Sequence, residues 1–103
     1  MNRTIIGLAS FRAREGGGEQ LGQYLRELQL RAQHAVACQG CELLRDPQGE
    51  DHWLLRSHWA SEEALQAHLA LPHMQLLGQL VDNGLIRHMA LRIEAGAAEH
   101  SAA

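Results

Sequence analysis

No apolar run in this 103-residue chain approaches the roughly 18 residues that a membrane-spanning helix requires. Residues 1–10 lack the long uninterrupted apolar stretch and the small-residue cleavage site of a secretory signal, so the expected compartment is cytoplasmic. A basic excess is missing too. Nine Arg and Lys against twelve Asp and Glu give a formal net charge of -3, and the cations are scattered from Arg3 to Arg92. No stripe is left to neutralise a nucleic-acid backbone, and no helix-turn-helix segment is present, so neither DNA nor RNA is expected as a partner. Cysteine is scarce: Cys38 and Cys41 are too few for a disulfide framework, and the cytoplasm would keep them reduced. The length is that of one domain, read as residues 1–95, with 96–103 (GAAEHSAA) as a small-residue tail.

What is present is ordinary globular material, 46% hydrophobic and 20% charged. Residues 4–13 (TIIGLASFRA) are β-branched and apolar on both alternating faces, Ile5, Ala9 and Phe11 on one and Ile6 and Leu8 on the other. Glu15-Gly16-Gly17-Gly18 breaks the strand. Leu21, Leu25, Leu28, Ala32 and Ala35 then recur at helical spacing and predict a helix running to about Ala37. Cys38-Gln39-Gly40 is a turn into a short strand over 41–45, and Asp46-Pro47-Gln48-Gly49 turns into a second strand over 52–59. In the latter, Trp53, Leu55, Ser57 and Trp59 form the buried face.

Ser61 has the chemistry of an N-cap, with Glu62 and Glu63 where a helix start favours negative charge. Pro72 ends or kinks this helix and opens a further helical turn or two through Met74, Leu77 and Val81. Asp82-Asn83-Gly84 stops it. A strand over 85–93 closes the domain, with Leu85, Met89, Leu91 and Ile93 on one face. The order strand, helix, strand, strand, helix, strand is the βαββαβ pattern of an α+β, ferredoxin-like fold with an antiparallel sheet. Helices cover one face of such a sheet only. Apolar residues on both faces of the first strand therefore predict a homodimer.

Several side chains are candidates for chemistry. His68, three after Leu65 and one before Leu69, lies on the inward stripe, where a neutral imidazole serves as a base or as a core histidine bonded to a backbone carbonyl. His73 follows the proline and is placed by the bend, at a pocket mouth or in solvent. Trp53 and Trp59 alternate onto one sheet face, as core or as a ligand platform. Cys38-Gln39-Gly40-Cys41 is a bare C-x-x-C without the second pair of a zinc site, and His68 and His73 are five apart, off the i, i+4 spacing of helical metal pairs. No metal is expected.

The segment WASEEALQAHLALPH, from Trp59 to His73, resembles the antibiotic biosynthesis monooxygenase family, and within it the small quinol monooxygenase-like proteins and their autoinducer-processing relatives. The resemblance rests on the strand-end aromatic Trp59, the acidic helix start, His68 and the Pro72-His73 pair. It extends weakly to the glycine turn before the first helix, Gly40, Asp46-Pro47 and the closing LIRHMALRI. It implies a dimeric α+β barrel with a pocket between helices and sheet, and cofactor-independent oxidation of a small quinol or polyphenol by dioxygen. In that scheme His68 is the catalytic base, Trp59 a pocket wall and His73 a second polar contact, with Trp53 and Ser57 on the substrate side. Two departures stand out. Ser57 occupies a place where many relatives carry Glu, and Gly78 stands where the haem-degrading branch has its proximal His, which disfavours haem degradation. Two rival functions share the fold: an isomerase or processing enzyme of the autoinducer type, and a non-catalytic small-molecule-binding dimer.

Overall fold

The computed structural model describes residues 4–47 and 49–95, with the side chain of His73 outside the description. The expected tail, 96–103, lies outside the described residues. Four strands, β1 (Ile5–Ala13), β2 (Cys38–Arg45), β3 (His52–Trp59) and β4 (Ile86–Ala95), form one antiparallel sheet in the order β2-β3-β1-β4. Three α-helices, α1 (Gly18–Gln33), α2 (Glu62–Leu69) and α3 (Gln75–Asp82), accompany it, with a 3-10 turn at Pro72–Met74 between the last two. This is the ferredoxin-like α+β arrangement that the element order predicts.

The amphipathic stripe of α1 buries Leu21, Leu25, Leu28 and Ala32 against Phe11, Ala13, Trp53 and Leu55 of the sheet. Its N-terminus has no side-chain cap of its own. Asp51, just before β3, supplies one instead, accepting the backbone N–H of Gly16 at 3.3 Å and of Gly18 at 3.1 Å. Gly16 sits at φ +82°, a left-handed conformation that a side chain would strain.

At its other end α1 stops at Gln33, four residues short of the expected Ala37. The cause is β2, which begins at Cys38 rather than after Gly40: Cys38 already pairs with Trp59, and Ala60 N–H donates to Ala37 O at 3.1 Å. The chain needs residues 34–37 to reach that edge. Gln29 and Gln33 then donate their side-chain amides to Cys41 O, at 3.0 and 3.2 Å, tying the last helical turns to an edge strand whose outward carbonyl would otherwise lack a partner.

Ser61 caps α2 as its chemistry suggests, its hydroxyl accepting the Ala64 N–H at 3.1 Å from extended backbone. Ser61→Ala should cost about 1 kcal/mol. For a domain of this size that lowers the melting temperature by roughly 4–8 °C, which calorimetry reads directly. Pro72 opens the 3-10 turn, so the helical stretch after β3 is broken where the proline predicts. Asn83 Oδ1 accepts the Leu85 N–H at 2.9 Å and Gly84 takes φ +87°, which turns the chain into β4.

Candidate functional site

The helix layer does not lie flat on the sheet. Between α1, α2, the 3-10 turn and α3 on one side and the four strands of the sheet on the other is a cavity of about 200 Å³. Its walls are Gly7, Ala9 and Leu55 of the sheet, Leu28 and Ala32 of α1, and Leu65 and Leu69 of α2, with Met89 and Leu91 of β4 at one side. Those two methionine and leucine side chains are 41% and 45% exposed, so the cavity opens along the β4 edge. Ser57, Cys41 and His68 are the lining side chains that carry a polar or ionisable atom.

Each of the three is positioned by its element. The register Gly7↔Ser57 and Cys41↔Ser57 sets Ser57 in the middle of the sheet beneath α2, with its hydroxyl 3.4 Å from Gly7 O. Gly7 has to be a glycine or yield space. A methyl there would meet Ser57 Oγ at 3.2 Å and Leu65 Cδ1 at 3.3 Å, closer than such groups usually come. This close approach draws α2 down onto β1 and sets the height of the cavity. His68 is 7% exposed, on the buried stripe with Leu65. Its ring lies against the indole of Trp59, centroids 4.7 Å apart at an interplanar angle of 38°, so the strand-end tryptophan fixes the orientation of the imidazole from behind. Trp59 itself is 1% exposed.

The structure therefore brings His68 and Ser57 to one cavity, with Trp59 as the backing of His68. It sets Trp53 apart. That indole donates Nε1–H to Gly18 O at 2.9 Å, packs on Gly22 and carries the guanidinium groups of Arg26 and Arg45 over its ring, at 5.6 and 4.4 Å. It is not among the residues lining the cavity. The expectation that groups Trp53 with His68, Trp59 and Ser57 thus meets a separation in the structure: the alternation of β3 puts both tryptophans on the helix side, but at opposite ends of the strand. The side chain of His73 lies outside the description, and only its backbone, in the 3-10 turn after Pro72, is placed.

Cys41 is the lining residue whose place the sequence hides. Cys41 pairs with Ser57 in the regular part of β2, and a register irregularity between Cys38 and Gly40 puts Cys38 opposite Trp59, so both thiols join the helix side of β2. Cys41 is buried, and that burial, with smaller contributions from Cys38 and Glu42, pushes its thiol pKa up to about 12. It is held protonated and a poor nucleophile. Iodoacetamide at pH 8 should label Cys38 in the folded protein and spare Cys41 until denaturant is added, a difference that peptide mass spectrometry resolves. Because the folded pKa is raised, the contribution of Cys41 to stability is complete below the ordinary thiol value of 9.0. It is lost as pH climbs from there through about 12, so urea midpoints should fall across that window.

Among the described residues, no three His, Cys, Asp or Glu side chains gather as a metal site, and no helix is long and apolar enough to cross a membrane. On the sheet face away from the helices, Glu42 accepts from Arg56 Nε at 2.8 Å and lies 3.7 Å from His58 Nε2, and the Arg56 guanidinium lowers its carboxyl pKa.

Comparison with solved structures places this architecture among known ones. The chain is similar to SO0527 from Shewanella oneidensis (20% identity, 91% of each chain covered, TM-score 0.83) and to PA3566 from Pseudomonas aeruginosa (20% identity, 93% and 96% covered, TM-score 0.81). It is also similar to a candidate antibiotic biosynthesis monooxygenase from Deinococcus radiodurans (23% identity, 89% and 92% covered, TM-score 0.79). At these identities the likeness is one of fold. No curated protein matches the chain. The model of one family does match, over residues 4–77, a span that holds β1 through the start of α3 and with it Gly7, Cys41, Ser57, Trp59 and His68, and the chain belongs to the antibiotic biosynthesis monooxygenase family.

Proposed function

We propose that the chain oxidises a small quinol or polyphenol with dioxygen, needs no cofactor to do so, and works as a cytoplasmic homodimer. One observation carries the reading: a histidine set into the wall of an otherwise apolar cavity, across from a serine hydroxyl, in a family named for monooxygenation. The size narrows the substrate. An apolar cavity of about 150 Å³ is enough to bind benzene, so about 200 Å³ suits a single substituted ring better than a fused polycycle.

The chemistry follows from the surroundings. His68 takes a proton from a ring hydroxyl, and the resulting anion is electron-rich enough to pass one electron to dioxygen. The two radicals combine into a carbon–oxygen bond. Loss of the ring proton with cleavage of the oxygen–oxygen bond leaves one oxygen atom on the ring as a quinone carbonyl and releases the other as water. Ser57 orients the hydroxyl, and the apolar walls exclude water from the anion. Trp59 holds the imidazole in place, and His73 is assigned a second polar contact at the bend.

Oxygen uptake over a panel of monocyclic hydroquinones and phenols tests this. One dioxygen consumed per quinone formed is expected. Uptake no faster than with heat-denatured protein across the panel rejects it.

The dimer has its own support. Ile6, Leu8, Leu44 and Leu54 belong, by strand register, to the sheet face that no helix covers, and Leu44 is 40% exposed. A second copy covers that face. Sedimentation at micromolar concentration should give twice the 11.4 kDa chain mass, and a monomer would reject the dimer while leaving the cavity chemistry standing.

A further inference from the structure

Quinol oxidation leaves the two thiols unused, yet the strand places them as a pair. Three residues of regular strand would set Cys38 and Cys41 about 10 Å apart and on opposite faces. The bulge changes both relations. Gln39 is the extra residue: Cys38 pairs with Trp59 and Gly40 already with His58, so Cys38 and Cys41 stand opposite Trp59 and Ser57, two positions apart on β3. Both side chains then face the helices. Their Cα atoms are separated by the rise of two residues, about 6.6 Å, near the upper end of the roughly 4.4–6.8 Å that disulfides span.

The surroundings agree with this pairing. Both are free thiols; Cys41 lines the cavity, and Cys38 packs against the same core cluster. Cys38 also contributes to the raised pKa of Cys41, an effect that needs the two sulfurs close together. Their exposure differs. Cys38 is half-buried, with its thiol donating to Gly40 O of the bulge at 3.3 Å, whereas Cys41 is buried.

We propose that Cys38 and Cys41 form a reversible redox site in the cavity wall, oxidised to an intrachain disulfide by a small hydroperoxide. Cys38, the thiol within reach of solvent, attacks as the thiolate and breaks the oxygen–oxygen bond. Its sulfur keeps one oxygen as a sulfenic acid, and the other leaves as hydroxide and takes up the proton Cys38 gave up. The Cys41 sulfur then displaces the remaining oxygen: the sulfur–sulfur bond forms, the sulfur–oxygen bond breaks, and the Cys41 proton leaves with hydroxide as a second water. Two thiols and one hydrogen peroxide thus give one disulfide and two waters, with two electrons passing from sulfur to oxygen. A span so near the upper limit strains the bond, and strained disulfides are readily reduced, which suits a site reset by small thiols better than a structural staple. Bridging draws the Cys41 sulfur along β2 from its place opposite Ser57 toward Trp59, the residue that backs His68, so oxidation reshapes the cavity wall. The quinol chemistry proposed above supplies the oxidant: a radical pair that separates before its atoms join releases superoxide, and two superoxides with two protons give hydrogen peroxide and dioxygen. That source rests on the quinol reading. The thiol pair rests on the register alone.

Peptide mapping tests the site. The full chain, reduced and desalted, is treated with hydrogen peroxide, unfolded in iodoacetamide and digested with trypsin. Both cysteines fall in one peptide, residues 32–45 (AQHAVACQGCELLR), which contains no methionine to oxidise. Expected is a peptide two hydrogens lighter than its reduced form and without alkyl groups, from a chain that stays at 11.4 kDa in denaturant without reductant. Dithiothreitol should restore both alkylation sites. In Cys41→Ser, Cys38 should stop at the sulfenic acid, which dimedone traps. Methyl resonances of Leu55 and Leu65 in the cavity wall should shift in oxidised wild type, return with reductant, and stay in place in peroxide-treated Cys38→Ser. Any of four results overturns the proposal: two alkylated cysteines after peroxide, a Cys38 sulfinic acid beside an alkylated Cys41, a disulfide between chains, or an intrachain disulfide that leaves both leucines unmoved. None of these readouts uses quinol turnover, so a failed oxygen-uptake assay and a failed thiol assay reject different claims.

Discussion

His68→Ala is expected to lower quinol turnover by about a hundredfold to ten-thousandfold, the usual range for loss of a general base. The imidazole is the one ionisable side chain in the cavity wall other than the protonated Cys41, so no neighbour inherits the proton. Ser57, 3.4 Å from Gly7 O, can orient a hydroxyl but does not accept its proton near neutral pH. The fold should survive the change. His68 sits at the cavity, where its removal enlarges a space that already exists, and the Trp59 indole against which its ring tilts is itself buried in the core. Turnover should therefore fall far more than the melting temperature, and added imidazole should restore part of the rate. The opposite pattern, a drop of several degrees with turnover intact, marks His68 as a core residue whose loss costs about 1–3 kcal/mol of stability and removes the base from the mechanism.

His68 could be placed from sequence because a helical stripe is a local property: Leu65 and Leu69 flank it and both face inward, so the residue between them does too. Cys41 could not. It shares a face with Leu43, but which face of β2 meets the helices is set by the pairings Cys41↔Ser57 and Leu43↔Leu55, and a short strand that carries apolar Leu43 and Leu44 on opposite faces does not decide it. Gly7 was equally silent. Its role comes from the approach of Leu65, nearly sixty residues away in the chain, and a glycine inside a strand signals a close contact without naming the partner. The stop of α1 at Gln33 has the same origin, since Ala35 continues the apolar stripe and only the start of β2 at Cys38 pulls the chain out of the helix.

The open face shows a different limit. Once Trp53, Leu55, Ser57 and Trp59 are read as the buried face of β3, alternation alone puts Arg56 and His58 on the open one, because side chains two apart share a face. That Arg12, His52 and His88 form one row across three strands depends on register between segments far apart in sequence. Register is set by turn geometry and by which residues the core selects, not by any one strand.

Trp53→Ala should produce the largest loss of stability. Trp53 and Trp59 share a face of β3, but six residues at about 3.3 Å each set them roughly 20 Å apart, so one backs His68 and the other locks α1 to the sheet. At 4% exposure, with its indole N–H on Gly18 O, Trp53 fills the space that Gly22 leaves open. Truncating a buried tryptophan costs about 3–5 kcal/mol, a large share of the 5–15 kcal/mol that typically holds a domain together. For a domain this small that is a fall of about 12 °C or more. Turnover per folded molecule should hold, since the indole does not line the cavity. If Trp53→Ala melts near wild type but raises KM, the residue contacts substrate after all. Gly22 supplies an internal check. A methyl there would stand well inside van der Waals contact with Trp53 Cζ2, so Gly22→Ala should destabilise the wild type by about 1–3 kcal/mol through overpacking, outweighing the gain of about 1 kcal/mol that alanine brings to a helix interior. In the Trp53→Ala background the clash is gone while the helix preference remains. The same substitution should then stabilise, and this reversal of sign on the melting temperature is what a lock between Gly22 and Trp53 predicts.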